Sequence, residues 1–223
     1  GSHMQYFHDA NAGYDNHLWY TYTMSSQSDI CYTTWTPTLT NSGMYEVSAY
    51  IPSVNANAVN AIYRIYYDGG DTIVYVDQSA YSDQWVSLGT FNFSPAAQAY
   101  VYLGDSTGYG GNEIVFDAVK WSYKQMPVAD FTVNTSLCEG DSVQFNNQSV
   151  YGQSYEWVFE GGQPNVSTDI NPYVQYNSAG NYDVTLIAHG AGGNDTIFID
   201  NHISVSNNAS ADFIANDTLI YLP

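Results

Sequence analysis

At 223 residues the chain has room for two domains. It carries 22 acidic side chains against 3 basic ones, a formal charge of -19. That balance excludes a nucleic-acid partner, because phosphate contacts need cations, and it disfavours anionic polymers. The acidity does not imply disorder, since 44% of the residues are hydrophobic and 16% aromatic. Tyr, Thr, Val, Asn and Gly dominate, as in β-strands joined by Gly/Asn turns.

In chain order, Gly-Ser-His-Met ahead of Gln5 reads as a cloning scar, so residues 1–4 are set aside and the chain is expected to be a piece of a longer protein. No apolar run approaches the ~20 residues that span a membrane, so a soluble piece is expected. No window holds a helical period, whereas period-2 alternation recurs. "GMYEVSAYIP" (43–52) sets Met44, Glu46, Ser48 and Tyr50 against Tyr45, Val47, Ala49 and Ile51. "AIYRIYY" and "TIVYVDQ" flank "DGGD" (68–71), a hairpin signal in which Gly69 and Gly70 supply positive φ. An acidic calcium loop would want more acids at alternating positions and a closing Glu. "WVSLGTFNF", "AYVYLGD" and "EIVFDAVKWSY" complete a first set of short strands, the pattern of a β-sandwich.

Around "YKQMPVADF" (123–131) the pattern restarts, with Pro127 unable to continue a central strand. A second set follows: "ADFTV", "DSVQFNNQS", "SYEWVFEGG", "PYVQY", "GNYDVTLIAHG" and "NDTIFIDNHISV". "ADF" recurs at Ala129 and Ala211, which suggests the start of a further repeat after a short linker. The expected division is therefore a domain at 5–124, a second at 125–206, and a linker with the start of a repeat at 207–223. Cys31 and Cys138 fall in different domains and lack a CxxC partner, so both are expected reduced and partly buried.

"FHDANAGYDN", "WTPTLTNSGMYEVSAYIP", the Asp-Gly-Gly-Asp hairpin ending at Gln78, "QWVSLGTFNF" and "EIVFDAVKW" occur in that order. The first domain thereby resembles the golvesin C-terminal-like domain, also described as xanthan-lyase carbohydrate-binding-like. Asp77 stands where the pattern often has Asn. The resemblance implies a jelly-roll-type β-sandwich, an accessory domain of secreted polymer-degrading enzymes. The second domain is similar to PKD domains, through Trp157-x-Phe159, Pro172-x-Val174-x-Tyr176 and Gly180-x-Tyr182-x-Val184-x-Leu186. Glu160-Gly161-Gly162 replaces the usual Gly-Asp-Gly. This likeness implies an Ig-like sandwich that serves as a spacer or adhesion module. The expected fold is thus all-β, a jelly-roll-type sandwich followed by an Ig-like one.

Catalysis finds no support. His8, His17, His189 and His202 sit in no nucleophile or metalloprotease motif, although 22 acids could be paired in many ways. Sugar binding asks for flat aromatic platforms with polar groups beside them. The first domain holds 16 of the 22 tyrosines and four of the five tryptophans. Trp35 and Trp85 fit the family pattern and are expected to pack in the core, as is Trp157. Trp19, Tyr20 and Tyr22 lie in a less patterned region, and Tyr81 and Tyr109 in loop-like stretches. These five are the candidate stacking residues. The alternative is that exposed tyrosines merely cover a Lys-poor surface. By analogy with other carbohydrate-binding sandwiches, Asp117 with Asp9, Asp15 or Glu113 is a candidate structural Ca2+ site; Asp117 could equally bond backbone amides.

The expected function is a non-catalytic carbohydrate-binding accessory module of a secreted bacterial polymer-degrading enzyme. It would favour neutral polysaccharide, use the PKD domain as spacer, and be monomeric, extracellular or cell-surface, and covalently linked to a catalytic domain. The alternatives are a structural or adhesive surface module, or a targeting module of a secreted peptidase.

Overall fold

The computed structural model describes residues 5–96 and 98–208; the further repeat expected from Ala211 lies outside them. The chain divides into two compact units between Gln125 and Met126, and nearly all its regular structure is strand.

The first unit runs β1 (Phe7–Asp9), β2 (Leu18–Tyr22), β3 (Tyr32–Trp35), β4 (Gly43–Ile51), β5 (Ala61–Tyr67), β6 (Gly70–Val76), β7 (Gln84–Phe93), β8 (Tyr100–Gly104), β9 (Glu113–Phe116) and β10 (Val119–Tyr123). These form three antiparallel sheets, ordered β1-β2-β9, β10-β4-β7 and β3-β8-β5-β6, around one core. The arrangement is a jelly-roll-type sandwich. One phase of each alternating strand faces inward: Tyr45, Val47, Ala49 and Ile51 from β4, Ala61, Tyr63 and Ile65 from β5, and Val101 and Leu103 from β8 are buried. Each fully buried Ile or Leu contributes about 1.5–3 kcal/mol.

The Asp-Gly-Gly-Asp stretch is the β5–β6 turn, with Gly69 at φ 115° and Gly70 at φ 146°. Asp77 caps the short helical turn that follows, accepting from the amide and hydroxyl of Ser79. Gln78 is wholly buried and fully bonded. Its amide donates to the Tyr63 hydroxyl and the Val115 carbonyl, both at 3.1 Å, and accepts the Val115 N–H at 3.0 Å. An unpaired buried amide would be costly; this one joins the hairpin to β9.

Two expectations need correction. Trp85 does not enter the core. Val86 and Leu88 take the inward phase of β7, so Trp85 stands half-buried on the outer side, edge-on to Tyr50 and Tyr14, with the Lys120 ammonium 4.3 Å above its ring. The cysteines, expected to be alike, differ. Cys31 is buried, its sulfur receiving the Thr21 hydroxyl at 3.7 Å, whereas Cys138 is exposed; both are free thiols.

The second unit runs β11 (Phe131–Thr132), β12 (Ser136–Cys138), β13 (Ser142–Gln144), β14 (Asn146–Asn147), β15 (Ser154–Phe159), β16 (Gly162–Gln163), β17 (Val166–Ser167), β18 (Tyr173–Tyr176), β19 (Gly180–Gly190) and β20 (Gly193–Ser206). One sheet is ordered β12-β20-β19-β15-β17, with β12 parallel to β20, and another β13-β18-β16; β11 pairs with β14. This is an Ig-like sandwich. Trp157 is central to its core, stacked on Phe159 at 5.6 Å with its indole N–H donating to the Asp169 carbonyl.

Candidate functional site

In the sheet β3-β8-β5-β6 the outward strand phase is aromatic rather than polar. Cross-strand register places Tyr66 directly opposite Tyr100, and Arg64 opposite both Tyr102 and Ile73. Directly opposed side chains share a face, and diagonal ones lie within reach of aromatic rings, so the rings meet: Tyr66 and its opposite Tyr100 stack at 4.1 Å with 20° between planes, and Tyr32 stacks on its diagonal neighbour Tyr102 at 5.4 Å. Tyr66, Tyr100 and Tyr102 line a depression of about 510 Å³ that also receives Tyr75, 64% exposed, and Asp29.

Polar groups are set among these rings. The Arg64 guanidinium donates to the Tyr66 hydroxyl at 3.4 Å and lies 3.8 Å from the Asp71 carboxylate. The Asp29 carboxylate accepts the Tyr102 hydroxyl at 2.7 Å and the Ser106 N–H at 2.6 Å. It lies over Gly104, where any Cβ would collide with it, so only glycine fits there. Burial, then the bond to Asp29, pushes the Tyr102 phenol well above its ordinary value; burial and Tyr66 raise Tyr100. Both stay protonated donors. The buried Asp105 carboxylate accepts the N–H groups of Ile30 and Cys31, both at 2.9 Å, and so fixes the approach to Tyr32. Flat rings beside mixed donors and acceptors suit a polyhydroxylated ligand.

None of Tyr32, Arg64, Tyr66, Tyr75, Tyr100 or Tyr102 was among the candidates read from the sequence. A signal existed: in "AIYRIYY", "TIVYV" and "AYVYLG" the phase that should be polar is Ile62/Arg64/Tyr66, Ile73/Tyr75 and Tyr100/Tyr102.

The five candidates from the sequence separate in space. Trp19 is 48% exposed and walls a second groove, about 360 Å³, with Tyr6, Tyr32, Trp35 and Phe116. His8 covers part of Trp19 at 4.6 Å, and the Trp35 indole N–H donates to the Asp117 carbonyl at 2.8 Å. Successive strand residues point to opposite faces, so Tyr20 and Tyr22 cannot join Trp19 in one platform. They meet Phe7 instead, and Tyr20 also packs on the core, which removes it from the stacking set. Tyr22 is exposed, and Tyr81 and Tyr109 stand exposed in the β6–β7 and β8–β9 connections.

The four acids read as a calcium set are engaged separately. Asp117 accepts the Tyr14 N–H at 3.0 Å, Asp9 the Asn11 N–H at 2.8 Å, and Glu113 the Asn57 amide at 2.9 Å, while Asp15 sits in a tight turn at φ 54°. Among the described residues no three His, Cys, Asp or Glu side chains converge as metal donors. The arrangement gives Asp117 and Asp9 backbone-holding roles. Burial pushes the Asp117 carboxyl up to about 6 against the pull of the Tyr14 and Ala118 amides and of His17. Gly13, at φ 87°, leaves room for it; a Cβ would lie 2.7 Å from the carboxylate.

These features define a tandem of two all-β modules of accessory type. Residues 8–123 match the Golvesin C-terminal domain and residues 124–205 a PKD domain. The chain belongs to the golvesin C-terminal domain family and continues into a PKD domain. Both are non-catalytic types typical of modular extracellular proteins, and among the described residues no helix is long and apolar enough to cross a membrane. Among solved structures, the PKD1 domain of Vibrio anguillarum Epp is similar at 32% identity, over 38% of this chain and 100% of that one, with a TM-score of 0.31. No curated protein matches the chain.

Proposed function

We propose that the first unit is a carbohydrate-binding module, that the PKD unit is its spacer, and that the pair tethers a covalently linked, secreted catalytic domain to a neutral polysaccharide. The observation that carries this is the Tyr66–Tyr100 stack beside Arg64 on an outward sheet face. Core rings are expected inward; a stacked pair facing solvent with hydroxyls and a guanidinium around it supports a sugar platform. Neutral glycans are favoured because one cation, Arg64, shares the depression with Asp29 and is paired with Asp71, within a chain of charge -19. The mechanism is targeting, since tethering raises the substrate concentration met by the attached domain.

Affinity electrophoresis through gels containing cellulose-type, xylan-type and laminarin-type polymers tests this. At least one gel should retard the protein, and Tyr66→Ala and Tyr100→Ala should abolish the retardation while the protein stays folded, with only a small drop in melting temperature from the lost ring pair. If the protein runs freely in every gel, it is a structural or adhesive module and the proposal fails.

A further inference from the structure

The tyrosine-lined depression and the groove beside Trp19 meet at one residue. Tyr32 walls the groove, and the same ring stacks on Tyr102 of the depression. Its position is fixed from both sides. The Tyr6 hydroxyl donates to the Tyr32 carbonyl and accepts the Tyr32 N–H, each at 2.7 Å. Thr34, opposite Tyr102, and Tyr32, two residues along β3, are both exposed, so Tyr32 lies in the outward phase of the sheet.

From Trp19 the surface therefore passes over Tyr32 and along the register row that sets Tyr32, Gly104, Ile62 and Tyr75 side by side. The Tyr102–Arg64 pair lies one pleat to one side, with the Tyr66–Tyr100 stack next beyond that pair. It runs across the strands. The four strands of this sheet alone span three inter-strand steps, about 14 Å, and the groove lies beyond β3. A single sugar ring stacked on one tyrosine would cover only part of this distance.

We infer that the two depressions are subsites of one track, and that the ligand is an extended neutral glycan chain running from Trp19 to Tyr75. The inference rests on the carbohydrate-binding function proposed for this unit. Trp19 and Tyr75 are the ends of the track, and its centre is flanked by the Tyr102–Arg64 pair, which the Tyr66–Tyr100 stack adjoins. Short oligosaccharides occupy the centre, and longer ones reach the ends.

The test uses the whole chain and neutral β-linked gluco- and xylo-oligosaccharides from dimer to hexamer, titrated by calorimetry. Affinity is expected to rise with length beyond the dimer. If a sugar–ring contact is worth what a ring–ring contact is, Trp19→Ala and Tyr75→Ala each weaken the hexamer about two- to tenfold. They leave the dimer unchanged, whereas Tyr66→Ala weakens both. Melting curves of Trp19→Ala and Tyr75→Ala should overlay that of the parent, because both side chains are exposed, whereas Tyr66→Ala, which loses the stack on Tyr100, should melt slightly lower while remaining folded. Affinity that is already maximal at the dimer, or a hexamer indifferent to Trp19→Ala, overturns the single track while leaving the Tyr66 site standing. Failure of every oligosaccharide and every polymer gel overturns the carbohydrate-binding function and the track together.

Discussion

In the PKD unit Phe131, Phe145, Trp157 and Phe159 contact one another inside the core, with ring centroids 4.6 to 5.8 Å apart. In the golvesin-type unit Tyr32, Tyr66, Tyr100 and Tyr102 make comparable contacts on an outward face. Both units are alternating strands, so the difference lies in which phase carries the rings. In β15 the inward phase is Trp157 and Phe159 and the outward phase includes Glu156; in β8 the inward phase is Val101 and Leu103 and the outward phase is Tyr100 and Tyr102. Inward rings hold a sandwich together, and outward rings leave aromatic surface available to a ligand.

The largest effect that would sharpen this contrast is Trp157→Ala. Removing a fully buried indole should cost the PKD unit about 3–5 kcal/mol, read as an earlier transition in urea, while polymer retention by the folded protein persists. Loss of retention in the still-folded protein would show that the two units do not divide the roles. Next comes Gln78→Ala, which leaves the Val115 N–H and the Tyr63 hydroxyl without their partner. Orphaned buried groups of this kind cost about 1–3 kcal/mol each. The denaturation midpoint of the first unit should fall, with the outward rings still binding below the transition.

Asp117 gives the smallest effect, and one that depends on pH. Its folded value of about 6 lies above the ordinary 3.8. Between those values the folded state holds more proton than the unfolded state, so this group's contribution to stability grows as pH falls through that window and is lost as pH rises through about 6. Asp117→Asn, neutral throughout and still able to accept the Tyr14 N–H, should melt above the parent at pH 7. The difference should shrink toward pH 4. A gap that is constant with pH would mean that Asp117 does not titrate between those values.

Much of the fold was legible in the sequence because period-2 alternation and turn chemistry are local. Gly69, Gly70 and the inward phases of β4 and β5 follow directly from it. The site was less legible. Alternation tells which residues share a face but not which face is covered, so Tyr66 and Tyr100 read as ordinary strand residues until register put them opposite one another. Trp19, Tyr20 and Tyr22 were grouped by adjacency along the chain, although period 2 already sets Trp19 apart from the other two. Asp117 was open between a cation and backbone amides; the Gly13–Tyr14 loop, more than 100 residues away in sequence, supplies the amide.

The double hydrogen bond between the Tyr6 phenol and the backbone of Tyr32 has a bearing on solubility. β3 ends its sheet, and an unpaired edge offers N–H and C=O groups on which another copy can template aggregation. One hydroxyl occupies both groups of Tyr32. At that residue the edge is closed to a neighbouring strand, so copies of the chain at high local concentration are hindered from zipping into one another.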